Sequence, residues 1–312
     1  MWSICPEGQS VGVKKLLLYS DSCAAPMRLA GAASRALRAV LAAPAQRARW
    51  LGTTQATAYL AIPGQPGVLA VLAHDAVRLP CGLVLATTGA ELPLTALVPG
   101  EGDRAAGVVG DGTVSWTGPA GPVVVTAVRE WAPARAARAA LSARTLSEVR
   151  ALVPRGADDE LAAGLRAGAV GRLLGRGPGL TPAGDDLLAG YLVGAHAFGL
   201  EARGLRDAVA TLAPSATTAL SAALLWHAGR GECIDEVAAF AGALAGRGEP
   251  RRAVERLLAV GHTSGAALAH GVLVAAESSE PRVRGAVWTE ERSDEGRRHL
   301  RALPTAERVS TP

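Results

Sequence analysis

Hydrophobic and polar positions divide the chain into a strand-patterned part and a helical part. From 52 to about 130, short β-branched apolar runs are separated by Pro-Gly and Asp-Gly pairs. This pattern predicts a barrel or sandwich of about six strands, and Asp111-Gly112 is its clearest hairpin turn. Residues 28–50 carry apolar residues at helical spacing with arginines opposite, which predicts one helix ahead of the strands.

The apolar spacing becomes helical at residue 131 and stays so to about 277. The predicted helices cover 133–152, 158–174, 184–198, 203–212, 216–229, 234–246, 251–260 and 264–276. The polar segment 278–312 has no apolar period, so we expect disorder there. The sequence therefore predicts an α+β fold, with a helix and a small all-β domain over 27–130 and a larger all-α domain over 131–277.

The first 26 residues differ in composition from the rest. Lys14 and Lys15 are the only lysines, and two of the four cysteines also lie there. We expect residues 1–26 to be a disordered extension or the product of a misassigned start, with Met27 as the true start.

The composition argues against nucleic-acid binding and against a membrane-spanning protein. The net charge of +4 comes from scattered arginines, without the basic patch that nucleic-acid binding requires. No apolar run reaches the roughly 18 residues of a membrane span. The cysteines have neither zinc-ligand nor disulfide-framework spacing, which favours reduced thiols and a cytoplasmic protein.

The segment GRGPGLTPAGDDLLAG, residues 175–190, carries the strongest chemical signal. The glycines, of which Gly177, Gly179 and Gly184 are candidate binding residues, allow close approach of a ligand or of another backbone. A helix that begins near Gly184, capped by Thr181, would present unpaired N–H groups to an anion. Aspartates stand where a P-loop needs Lys-Ser/Thr, and no strand precedes the loop, so nucleotide binding by that route is excluded.

Asp185 and Asp186 open the predicted helix. They are candidate catalytic groups or Mg²⁺ ligands, or they complement the helix dipole. Adjacent helical residues point about 100° apart, so one regular helix would not direct both carboxylates at one ion. If one aspartate serves a site, the other is expected to be a cap.

A second segment resembles the first at an offset of 81 residues. TPAGDDLLAGYLVG (181–194) aligns with HTSGAALAHGVLVA (262–275) in its glycines and leucines. This predicts a duplicated helix-start motif, although chance matching in an Ala/Gly/Leu-rich chain is the alternative. The second copy adds four candidates from its loop: catalytic His262, and substrate-binding Thr263, Ser264 and Gly265.

Between the copies lies TTALSAALLWHAGRGE, residues 217–232. Thr218 and Ser221 share one helix face there. They are candidate substrate-binding residues, with hydrogen bonding to their own backbone as the equal alternative.

Together, GPGLTPAGDDLLAG, TTALSAALLWHAGRGE and LLAVGHTSGAALAHG resemble a bacterial domain-of-unknown-function family that includes the AllH subunit of oxamate carbamoyltransferase. The resemblance implies purine/allantoin catabolism, in which a three-component assembly exchanges carbamoyl groups between oxalurate and carbamoyl phosphate and yields oxamate. The family pattern has an aspartate that mirrors Asp186 in the second copy, where this chain has Ala267.

We therefore expect a carbamoyltransferase subunit that binds a small anion (carbamoyl phosphate, oxamate or oxalurate) at its glycine-rich helix starts. Arg176 is the expected counter-charge for a dianion, and Mg²⁺ is the candidate cofactor. The expected partners are other subunits of the enzyme or further copies of this chain, with neither nucleic acid nor membrane. Two alternatives stay open: a non-catalytic scaffold or regulatory subunit, and a stand-alone Mg²⁺-dependent hydrolase.

Overall fold

A computed structural model describes residues 25–64, 66–99, 106–154, 158–166, 168, 170–279, 286–292 and 298–304. In its N-terminal part, eight strands close into a barrel. They are β1 (Met27–Ser34), β2 (Gln46–Thr53), β3 (Thr57–Ala61), β4 (Val68–Leu72), β5 (Gly82–Leu85), β6 (Gly107–Gly110), β7 (Thr113–Gly118) and β8 (Gly121–Trp131). The order is β1-β5-β4-β3-β2-β6-β7-β8, and β8 returns to pair with β1. The β1–β8 and β4–β5 pairs are parallel and the others are antiparallel.

The barrel interior follows the two-residue period of its strands. Alternate residues such as Leu69 and Val71, or Val123 and Val125, are buried in one cluster. Short helices α1 (Arg38–Ala42) and α2 (Leu94–Leu97) add apolar side chains to that cluster. Trp116 packs edge-to-face on Trp50 at 5.4 Å, and its indole N–H donates to the Leu97 carbonyl at 2.7 Å.

The part predicted as a barrel or sandwich of about six strands is a barrel of eight strands, and the helix predicted over 28–50 is wrong. That stretch forms β1, a 3₁₀ turn at Arg35–Leu37, α1 and β2. β1 bonds to β5 on one edge and to β8 on the other, so pairing with distant strands outweighs the local helical spacing. The predicted hairpin turn is confirmed. Asp111 and Gly112 both have positive φ, 49° and 75°, and join β6 to β7.

Helices dominate the chain after the barrel. They are α3 (Ala143–Leu152), α4 (Asp158–Arg166), α5 (Ala183–Phe198), α6 (Arg203–Ala216), α7 (Ala219–Ala228), α8 (Asp235–Leu244), α9 (Pro250–Leu258) and α10 (Ser264–Ser279). Short strands β9 (Ala134–Arg135) and β10 (Glu232–Cys233) pair antiparallel, which is why the helix expected from 133 begins ten residues later. No helix among the described residues is long and apolar enough to cross a membrane.

Two termini were expected to be disordered. Residues 1–24 lie outside the described residues, and the start at Met27 stays a prediction. In the C-terminal segment, β11 (Ala286–Arg292) pairs antiparallel with β12 (Arg298–Pro304), so the structure differs there from the expected disorder.

Helices α5 and α10 form the centre of the helical part and are buried on nearly all sides. A Cβ placed on Gly190 would lie 2.2 Å from the Leu268 carbonyl oxygen, and one on Gly271 would lie 2.0 Å from that of Leu187. The two backbones therefore touch through glycines. The Thr181 and Ser264 hydroxyls meet at 3.1 Å beside the two helix starts, so the helices run side by side in one direction.

Candidate functional site

A cavity of about 430 Å³ lies between the barrel and the helices. The barrel contributes two sets of residues. Three lie at the start of β3 (Ala56, Thr57 and Tyr59), and five lie in the β4–β5 connection (Asp75, Ala76, Val77, Leu79 and Pro80). The opposite wall comes from the starts of α5 and α10, from α7, and from β10 with the start of α8. Most of the lining is apolar, as expected for a site that takes a small molecule.

The polar groups of the cavity are carboxylates and hydroxyls. Asp75, Asp186 and Glu232 supply the carboxylates, and the hydroxyls come from Thr57, Tyr59, Thr181 and Ser264. Among the described residues that line the cavity there is no arginine, lysine or histidine. Burial raises the pKa of Tyr59, so its phenol stays protonated and is able to donate a hydrogen bond. Carboxylate oxygens accept hydrogen bonds, so this wall favours ligands rich in N–H groups.

The two adjacent aspartates have different surroundings. Asp185 is buried, and its two oxygens accept hydrogen bonds from the Gly175 amide at 2.8 Å and from the Thr217 hydroxyl. Burial raises the pKa of Asp185, partly offset by the hydrogen bonds from Thr217, Gly175 and Ser221. Asp186 lines the cavity instead. One aspartate therefore fixes the glycine loop, while the other lies in the cavity wall.

The glycine loop is held in place by hydrogen bonds from the segment 217–232. The Thr218 hydroxyl donates to the Leu180 carbonyl at 2.5 Å, and the Ser221 hydroxyl donates to the same oxygen at 3.4 Å. Thr218 also caps α7, accepting from the Ser221 amide at 3.0 Å. Neither Thr218 nor Ser221 is among the described cavity-lining residues, so both act here by positioning the loop.

The glycines of the two helix starts serve backbone packing. A Cβ on Gly184 would lie 2.0 Å from the Leu173 carbonyl oxygen, and one on Gly265 would lie 2.0 Å from that of Leu257. Their amides donate to the Arg176 and Val260 carbonyls, both at 3.0 Å. The N–H groups expected to bind an anion are thus already engaged at these two positions.

The rest of the glycine loop faces solvent. Gly177 and Gly179 have φ values of 123° and 90°, which the turn requires of them. They are exposed, as is the Arg176 side chain, and all three lie outside the described lining of the cavity. A dianion bound by Arg176 would therefore lie on the surface of the loop.

The second helix start reaches the cavity through one of its predicted residues. Ser264 and the neighbouring Gly261 line it, whereas His262 and Thr263 are exposed and outside the described lining. Ala267 is fully buried in α10 and also lies outside that lining. No group of three or more His, Cys, Asp or Glu side chains within the described residues could hold a metal ion, and Asp185 is already engaged. Binding of Mg²⁺ by Asp185 and Asp186 stays a prediction.

Sequence reasoning missed two of the three cavity carboxylates. Glu232 ends the TTALSAALLWHAGRGE segment, and its carboxylate accepts a hydrogen bond from His227, with Nδ1 and Oε2 2.8 Å apart. Asp75 follows β4 and accepts from the Gly89 amide at 2.8 Å. Cys233 also lines the cavity, and burial raises the pKa of its thiol to about 12, so it is not a thiolate nucleophile.

The helical part of the chain, which forms one wall of this cavity, matches a known family model. Residues 173–276 match the family model described as oxamate carbamoyltransferase subunit AllH. The match begins just before the glycine loop, ends within α10 and does not include the barrel. It confirms the resemblance carried by the three segments. None of the solved structures compared matches the chain.

Proposed function

We propose that this chain is an AllH-like subunit of a carbamoyltransferase that handles oxamate or oxalurate and carbamoyl phosphate in purine/allantoin catabolism. One observation carries the proposal: the family match covers the segment that supplies α5, α7 and α10, and these helices form the helical wall of the cavity. The cavity is then the place where this subunit holds its small substrate.

The carbamoyl or ureido end of the substrate faces the carboxylates. Its N–H groups donate to Asp186 and Glu232, because ionised acceptors make the stronger hydrogen bonds. The opposite, carboxylate end lies beside the Thr181 and Ser264 hydroxyls. These hydroxyls mark the starts of two helices that run in one direction, so both positive dipole ends favour the negative charge there.

The phosphate of carbamoyl phosphate lies outside this cavity in the proposed arrangement. A dianion inside the cavity would face three carboxylates, and the described residues that line the cavity include no positively charged side chain. Like charges a few ångströms apart repel each other by about several kcal/mol in a partly buried site. The exposed Arg176 loop, or a partner subunit, supplies the positive charge instead. This arrangement gives the partner subunits a chemical role in the transfer.

The two helix starts also support an origin by duplication. α5 and α10 each contain 16 residues, and the glycine-to-carbonyl contacts are reciprocal between aligned positions, Gly190 with Leu268 and Gly271 with Leu187. We therefore retain the duplicated helix-start motif as part of the proposal. Ala267 then marks the copy without an acid, so Asp186 alone supplies the carboxylate of this pair.

Calorimetric titration of the assembled complex tests the proposal. Oxamate, its neutral analogue oxamide and carbamoyl phosphate are titrated into wild type, Asp186→Asn and Asp207→Asn, the last a matched control on the exposed face of α6. We expect both oxamate and oxamide to bind, because both carry the amide N–H groups that face the carboxylates. We also expect Asp186→Asn to weaken both about tenfold or more, while Asp207→Asn leaves them unchanged. Equal affinities in all three proteins would contradict the proposal.

A scaffold role is the second candidate, and the structural use of Asp185 and the loop glycines favours it. A scaffold predicts that Asp186→Asn leaves the transferase activity of the complex intact. A substrate site predicts lost activity with the melting temperature little changed. Measuring activity and melting temperature on the same sample separates the two.

A further inference from the structure

His227 is a buried histidine that the proposed substrate contacts do not use. Its side chain has no exposed surface, and Nδ1 lies 2.8 Å from Glu232 Oε2. Its other ring nitrogen, Nε2, is buried without a hydrogen-bond partner among the described residues. Buried polar groups of this kind call for a specific explanation, because leaving one unpaired costs about 1–3 kcal/mol.

The two nitrogens fix the tautomer of the ring. A proton on Nε2 would be a buried N–H without an acceptor among the described residues, and it would leave the Nδ1 lone pair facing a carboxylate oxygen. A proton on Nδ1 avoids both penalties and donates to Glu232. The imidazole is therefore oriented as a donor toward the cavity carboxylate.

Glu232 belongs to both the cavity and this buried pair. Its carboxylate lines the cavity with a 16% exposed side chain, in contact with His227 behind it. β10 pairs Glu232 with Arg135, whose guanidinium donates to the Arg230 carbonyl at 2.7 Å. Arg230 Nε lies 3.9 Å from Glu232 Oε1, and its guanidinium stacks on Trp226 at 4.7 Å.

These surroundings keep the carboxylate ionised. Burial alone would raise the pKa of Glu232, but the hydrogen bond from His227 and the electrostatic influence of His227, Arg230 and Arg135 lower it below its ordinary value. Asp75 and Asp186 are the other carboxylate residues among the described lining of the cavity. The hydrogen bond from His227 is the direct contact in this set, whereas the nearest guanidinium nitrogen is 3.9 Å away.

We propose that His227 is a positioning residue, which holds the Glu232 carboxylate in place as the hydrogen-bond acceptor for an amide or ureido N–H group of the ligand. The identity of the ligand in this proposal rests on the proposed function. The pairing of His227 with Glu232 does not depend on it. The pairing predicts that removing the imidazole N–H changes Glu232 without changing the shape of the cavity wall formed by α5 and α10.

Nuclear magnetic resonance tests the pairing without any ligand. Chain labelled with ¹³C at glutamate carboxyls and ¹⁵N at histidine rings is titrated with acid, and Glu232→Gln and His227→Asn assign the two signals. We expect the proton of His227 on Nδ1, and we expect Glu232 to titrate about one pH unit or more higher in His227→Leu than in wild type. His227→Asn retains an N–H near the Nδ1 position, so its Glu232 titration stays close to wild type. An Nε2–H tautomer, or an unchanged Glu232 titration in His227→Leu, would overturn the proposal.

Calorimetry of the complex with oxamide then tests the functional part. We expect His227→Leu to weaken the binding of oxamide about tenfold. We also expect it to raise the pH below which the affinity falls, because Glu232 is then protonated at a higher pH. His227→Asn should restore both the affinity and its pH dependence. If oxamide fails to bind even wild type, the proposed function is wrong, and the resonance measurement still decides the role of His227. If oxamide binds and His227→Leu binds it equally across the pH range, His227 does not position the acceptor.

Discussion

The contact between α5 and α10 gives the sharpest test of the fold that carries the site. Replacing Gly190 with alanine places a methyl group 2.2 Å from the Leu268 carbonyl oxygen, so the helices must separate by about 1 Å to reach ordinary contact. Backbone atoms line the contact, and no side-chain rotation relieves it. Gly271→Ala makes the reciprocal change, at 2.0 Å from the Leu187 oxygen.

The magnitude follows from two opposing effects. Overpacking a well-packed interface costs about 1–3 kcal/mol, and a backbone contact belongs at the upper end of that range. Alanine recovers about 1 kcal/mol over glycine through helix propensity. We therefore expect Gly190→Ala to lower the free energy of unfolding by about 2 kcal/mol. Gly242→Ala in α8 is the matched control. Its new methyl would meet its nearest neighbour at 3.9 Å, so it is expected to stabilise the chain by about 0.5–1 kcal/mol.

Urea unfolding followed by helical circular dichroism measures these differences. The double variant Gly190→Ala/Gly271→Ala is expected to cost less than the sum of the single changes, because one separation of the helices accommodates both methyl groups. If Gly190→Ala is as stable as Gly242→Ala, the two backbones do not touch. Strict additivity would mean that the two glycines do not share one interface.

Three further predictions concern other positions. Asp185→Ala is expected to cost about 2 kcal/mol, since it removes an acceptor from buried donors. Because the pKa of Asp185 is raised on folding, its protonation stabilises the chain fully below the ordinary value of 3.8 and less as pH rises through the folded value. The free energy of unfolding of Asp185→Asn, measured by urea melts, should therefore increase relative to that of wild type as pH rises. A difference that does not change with pH would contradict this. Cys81 and Cys233, both with a pKa raised to about 12, should resist iodoacetamide at about pH 8 until urea is added, as checked by peptide mass spectrometry. Asp111→Ala should cost about 1 kcal/mol in the same melts because its φ is 49°, whereas Asp111→Gly should be tolerated.

The sequence predicts those parts of the fold that depend on local pattern. Alternating β-branched residues indicate the later strands, and the Asp111-Gly112 turn follows from local chemistry alone. β1 could not be predicted in this way, because MRLAGAAS is rich in alanine and becomes a strand through pairing with β5 and β8, which are distant in sequence.

In the candidate site, too, some residues could be predicted from local sequence and others depend on the tertiary fold. Asp186 could be predicted because it opens a helix after a glycine loop, and the 100° helical step separates it from Asp185 as expected. Asp75 and Glu232 could not, because each reaches the cavity through the packing of barrel against helices. His227 could not be predicted either, because its pairing depends on the position of Glu232 in the fold.

We propose that the cavity between the barrel and the helices holds the N–H-bearing end of the substrate. A crystal structure of the complex grown with oxamide or oxalurate tests this directly. We expect the bound molecule inside the cavity, with its N–H groups at hydrogen-bond distance from the carboxylates of Asp186 and Glu232. A molecule bound at the exposed loop around Arg176, with the cavity left to solvent, would contradict it.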